Sequence, residues 1–113
     1  MPRLTCLCSE TIDLSRIPNP LGFKIISEAM VEAIIENLLE TYRQNTSDQE
    51  FERRIFDSFH SANPTIPHAY ECPNCGRLAV FSRASDAEPA LWFKNESTEK
   101  GNTVSLYSLT RQK

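Results

Sequence analysis

Glycine and histidine are scarce in this chain, with three and two copies among 113 residues. Three scattered glycines are too few to build a glycine-rich phosphate loop. His60 stands near Ser58 and Ser61, but no third member orients a triad, so nucleophilic catalysis has no constellation to rest on. A long apolar run is also missing. The most apolar stretch, Ile25 to Leu39, is interrupted by Glu28, Glu32 and Glu36, which argues against a membrane span. The opening Met1-Pro2-Arg3-Leu4-Thr5-Cys6 lacks the apolar core of a secretory signal, and the expected location is the cytoplasm. Repeats, low-complexity tracts and a linker-like shift in composition are absent, so the expectation is a single domain over residues 1–113.

An excess of cations is missing too. The net charge is −3, which argues against a general nucleic-acid binder while leaving room for a local basic patch. Residues 1–63 carry ten acids and six bases, whereas residues 64–113 carry five acids and six bases. The acidity lies in the middle of the chain. Hydrophobic residues at 40% and charged residues at 24% are ordinary globular values, which argues against disorder throughout.

Cysteine is sparse but placed in two pairs. Cys72-Pro73-Asn74-Cys75-Gly76-Arg77-Leu78 has two thiols three positions apart, with proline inside the bend and glycine after it. Proline sets φ in such a turn, and Gly76 is suited to the left-handed conformation that aims backbone N–H groups at the sulfurs. Two thiolates are half of a tetrahedral zinc site. The only other cysteines, Cys6 and Cys8, are spaced Cys-x-Cys, with Ser9 where Gly76 stands in the second turn. Without an export signal, four cysteines read as thiolate ligands rather than disulfides. The expected site is one zinc held by Cys6, Cys8, Cys72 and Cys75, joining distant segments. Iron is the alternative metal, and His68 or His60 the alternative ligand if a first-pair cysteine does not serve.

The rest of the chain gives an element pattern. Leu4 to Ile12 reads as a short strand carrying the first cysteine pair, then a bend. Phe23–Ile26 reads as a strand that ends at Ser27, an N-cap for a helix from Glu28 to about Gln44. Met30, Ala33, Ile34 and Leu38 form its apolar face, and Glu28, Glu32, Glu36 and Glu40 recur as an acidic column. Ser47-Asp48-Gln49-Glu50 is a capping box for a second helix with Phe51, Ile55, Phe56 and Phe59 as its apolar stripe. That stripe is expected to be buried against Ile34, Leu38 and the strand around Trp92. Residues 61–67 read as an extended linker, and His68–Glu71, Leu78–Ser82, Leu91–Lys94 and Val104–Leu109 as strands, with a polar turn over 96–102. The fold class is therefore α+β: a small antiparallel sheet with a helical hairpin, approximately 27–60, inserted between two metal-binding arms.

Cys72-Pro73-Asn74-Cys75-Gly76 resembles the knuckle of rubredoxin-like zinc ribbons. The wider pattern resembles a group of small, largely uncharacterised bacterial proteins. These have an N-terminal cysteine pair, a helical middle and a segment like Tyr70-Glu71-Cys72-Pro73-Asn74-Cys75-Gly76-Arg77-Leu78. The resemblance implies a fold, in which the small antiparallel sheet is a zinc ribbon, and a metal, but no reaction. Four protein ligands leave no open position on a zinc ion, so an enzyme is not expected. The expected function is a zinc-stabilised protein-interaction module of the bacterial cytoplasm, of antitoxin or immunity type, with Glu28, Glu32, Glu36 and Glu40 facing a basic partner. The second class is a nucleic-acid-binding zinc ribbon acting as an accessory or regulatory factor through Arg77, Arg83, Lys94 and Arg111. A small electron carrier is the third.

Overall fold

The computed structural model of the chain describes residues 3–59, 66–83, 86–96 and 104–110. Its architecture is α+β. Strands β1 (Arg3–Thr5) and β2 (Thr11–Asp13) form an antiparallel pair with Leu4 opposite Ile12. Strands β3 (Gly22–Lys24), β4 (His68–Glu71), β5 (Leu78–Phe81) and β6 (Leu91–Phe93) form a second antiparallel sheet in that order. Helices α1 (Glu28–Arg43) and α2 (Asp48–Phe59) lie between β3 and β4, and α3 (Leu106–Thr110) follows β6. The helical insert between two cysteine-bearing arms is as the sequence reads it.

The cysteines themselves do not lie on strands. Cys6 and Cys8 occupy the turn that joins β1 to β2, where Cys6 N–H donates to Glu10 O at 2.8 Å and Ser9 N–H to Cys6 O at 2.9 Å. The short strand expected to carry the cysteine pair thus ends at Thr5, and the pair sits in the turn of a tight hairpin. Ser9 takes φ 82, the left-handed value that reverses the chain there. Linker residues 61–65, His60, the segment 97–102 and Arg111 lie outside the described residues.

Both long helices start where their caps stand. Met30 N–H donates to Ser27 Oγ at 3.1 Å and Glu50 N–H to Ser47 Oγ at 3.2 Å. The second capping box is half made, because the Glu50 carboxylate turns to Arg53 and Arg54 instead of to Ser47. The hairpin does not bury its apolar stripes against the sheet. Among the described residues the main packing of the hairpin is α1 against α2, and the molecule is elongated, 52 by 30 by 26 Å. On α1 only Ile34 and Thr41 are buried; on α2 nothing is. Phe56 is 58% exposed and Phe59 41%, contrary to their expected place in the core. The cause is rotation: α2 turns Glu50, Phe51 and Ser58, its half-buried residues, toward α1. Periodicity put the aromatic residues on one stripe but could not say what covers it.

The core sits instead around the cysteines. Leu4 and Ile12 stack with Cys6, Cys72, Ala79 and Phe81, and Tyr70 and Trp92 close the edges. Tyr70 meets Phe81 edge to face at 5.9 Å between ring centres. The side chains of Tyr70, Ala79 and Phe81 share one sheet face through the pairings Tyr70 with Ala79 and His68 with Phe81. Alternation sends Glu71 to the opposite face, where the C-terminal segment lies. That segment, read as a strand over Val104–Leu109, turns helical from Leu106. Ser105 and Ser108 cap each other, each Oγ accepting the other's N–H at 3.1 Å. The buried Glu71 carboxylate then accepts Leu106 N–H at 2.8 Å and Tyr107 N–H at 3.1 Å. Two N–H groups of the helix's first turn and one buried acid satisfy one another.

Candidate metal centre

Two turns approach each other across the core. In the second, Gly76 N–H donates to Cys72 O at 3.0 Å and Cys72 N–H donates to Arg77 O at 2.8 Å. Gly76 takes φ 77, close to the φ 82 of Ser9, so both turns leave their second cysteine by the same left-handed residue. The first turn is the same device with one residue fewer. Nothing in Cys-x-Cys spacing alone announces that likeness; Ser9 in the place of Gly76 hides it.

The turns bring the four cysteine sulfurs within 4.8 Å of one another. Cys6 Sγ lies 3.4 Å from Cys75 Sγ, and Cys8 Sγ 3.6 Å from Cys72 Sγ. All four are free thiols, and these separations are far beyond the roughly 2.05 Å of a disulfide. A tetrahedral zinc with bonds of about 2.3 Å sets sulfur–sulfur edges near 3.8 Å, so the quartet is close to a four-thiolate cage before any ion arrives. Each arm gives one buried sulfur and one half-buried one. The donor set therefore fits a soft or borderline metal ion.

Donors around the cluster favour thiolate. Asn74 Nδ2 donates to Cys8 Sγ at 3.5 Å, and this bond, with the Glu10 N–H behind it, lowers the Cys8 thiol to about 6. Arg77 Nη1 donates to Cys75 Sγ at 3.4 Å, which raises the guanidinium pKa further. Burial works the other way, pushing Cys72 up to about 12 despite the N–H groups of Cys75 and Asn74, and raising Cys6. A half-buried thiol whose pKa is lowered, beside buried thiols whose pKa is raised, is a site that a cation completes by displacing protons. Asn74 and Arg77 were not foreseen as sulfur donors. Their signal was position, inside and just after the Cys-Pro-x-Cys turn.

Among the described residues the cluster holds the four cysteines and no histidine. His68 is buried on β4 opposite Phe81, away from the sulfur quartet, and His60 lies outside the described residues. Glu28, Glu32, Glu36 and Glu40 are exposed along α1, far along the chain from either cysteine arm. The cations named for a nucleic-acid surface divide: Arg77 is turned onto a sulfur, Arg83 and Lys94 are exposed, and Arg111 lies outside the described residues. No described helix is long and apolar enough to cross a membrane.

The family model described as a domain of unknown function (DUF8617) matches residues 2–110, and the chain belongs to that family. No curated protein and no solved structure matches the chain.

Proposed function

We propose that this family member is a zinc-stapled, non-enzymatic protein-interaction module that works in the cytoplasm. The observation that carries the reading is the sulfur quartet joining residues more than sixty positions apart, Cys8 to Cys72 and Cys6 to Cys75. An ion there ties the N-terminal hairpin to the larger sheet, so its binding energy becomes folding energy. Four protein sulfurs leave no coordination position for water or substrate, which supports a structural role. Zinc is preferred to iron because the first arm is one residue short of the paired Cys-x-x-Cys turns that suit electron transfer. The interaction role draws on the helical hairpin, which stands clear of the core with large apolar residues exposed. Its acidity favours an antitoxin- or immunity-type partner of a cationic protein. Metal stripping tests the staple. Chelation should lower the melting temperature, zinc should restore it, and cobalt(II) should give the visible spectrum of a tetrahedral four-thiolate site. A melting curve indifferent to chelator would defeat the reading.

A further inference from the structure

On α1, Val31, Ile35, Leu38 and Tyr42 follow one another at spacings of four, three and four, a single stripe on a helix. Val31, Ile35 and Tyr42 are 43%, 51% and 71% exposed. On α2 the matching stripe is Phe51, Ile55 and Phe59. The Tyr42 and Phe51 rings meet edge to face at 6.3 Å, which sets both stripes on the same side of the hairpin. The opposite side carries a cavity of mixed lining, with Met30, Ala33, Ile34 and Asn37 from α1 and Arg54, Asp57 and Ser58 from α2. Among the described residues nothing covers the apolar side. From Val31 to Tyr42 it runs about 16 Å, three helical turns at 1.5 Å per residue.

Acids flank this face on both outer edges. At about 100° per residue, Glu28 and Glu32 adjoin the α1 stripe, and Asp48 and Glu52 adjoin the α2 stripe. None of these four forms an ion pair among the described residues. The two described ion pairs, Arg53 and Arg54, both go to Glu50. Residues 28–59 carry eight acids and three bases. A second copy laid on this face would bring acidic edges against acidic edges. An amphipathic helix with lysine or arginine beside its apolar stripe meets apolar surface in the middle and opposite charge on both sides.

We propose that the apolar side of the hairpin docks a basic amphipathic helix of a protein partner, as the third helix of a small bundle. This rests on the interaction reading above and names the chemistry of its partner. Heptad positions on the incoming helix would pack between the two stripes, and its flanking cations would face Glu32 and Glu52.

The test titrates the full zinc-loaded chain with a synthetic leucine–lysine amphipathic helix and with its leucine–glutamate counterpart, following backbone amide resonances. The lysine peptide should bind and shift amides on the two stripes, while the glutamate peptide should not bind. Affinity should fall about tenfold or more on raising salt from about 50 to about 300 mM, because the edges are solvent-exposed. Ile35→Ser with Ile55→Ser should weaken it at least about tenfold, as should Glu32→Gln with Glu52→Gln. All four positions are exposed, so both variants should keep their metal and melting temperature; if the serine pair does not fold, the glutamine pair decides. Equal binding of the two peptides, no binding, or shifts confined to the sheets would overturn the proposal. So would self-association of the chain through this face, lost in the serine pair. A failure with zinc content and melting intact rejects this partner alone, whereas loss of the metal staple would reject the underlying reading.

Discussion

Glu71 stands next to a cysteine of the cluster yet serves a different purpose, and its removal separates the two. Its side chain is buried, at 4% exposure, and its carboxylate accepts the N–H groups of Leu106 and Tyr107 at 2.8 and 3.1 Å. A hydrogen bond to a charged group contributes about 1.5–3 kcal/mol, but α3 is only one turn and can swing out to rehydrate its N–H groups. That escape caps the loss, so Glu71→Ala should cost about 2–3 kcal/mol rather than the sum of two such bonds. Glu71→Gln keeps one acceptor and turns an amide NH₂ toward the other N–H, and should cost about 1–2 kcal/mol. Urea unfolding gives the stability change, and hydrogen exchange at Leu106 and Tyr107 reports locally; both amides should lose protection in either variant. Metal content should not move, because the Cys72 sulfur gains nothing from Glu71. Unchanged stability for Glu71→Gln, with unchanged exchange at the two amides, would refute the cap.

Two other perturbations follow from where the core lies and how the first turn reverses. Phe81→Ala should cost about 3–5 kcal/mol, since Phe81 is 5% exposed, whereas Phe56→Ala should stay within about 0.5 kcal/mol. Equal denaturant midpoints for the two variants would show that the hairpin shares the core. Ser9→Gly relieves a left-handed residue that costs about 1 kcal/mol or more, offset by glycine's entropy in the unfolded chain. Stability should therefore hold or rise by up to about 1 kcal/mol, and a clear fall in thermal melts would mean that the Ser9 side chain is needed where it stands.

The elements that carry their own punctuation were readable without coordinates. Ser27 and Ser47 mark where α1 and α2 begin, and the Cys-Pro-x-Cys-Gly turn marks itself. The strand His68–Glu71 was bounded correctly because Pro67 precedes it and Cys72 ends it. What failed depended on partners distant in sequence. Val104 to Leu109 alternates well enough to pass for a strand, and its helical capping pair Ser105–Ser108 takes hold beside a buried carboxylate thirty-five residues away. Phe56 and Phe59 share a stripe with Ile55, but periodicity records which side chains share a face and says nothing of what covers it. Cys6 and Cys8 were recognised as a pair, but their turn was not, because a serine at φ 82 leaves no trace in composition.

The account stands most directly on what the four sulfurs hold. X-ray absorption at the zinc edge, on protein purified without added metal, reads the ion and its neighbours together. The zinc-staple proposal for the Cys6, Cys8, Cys72 and Cys75 cluster predicts close to one zinc per chain with four sulfur neighbours at about 2.3 Å and no nitrogen or oxygen shell. Well under one equivalent of metal, or a first shell containing light atoms, would contradict it.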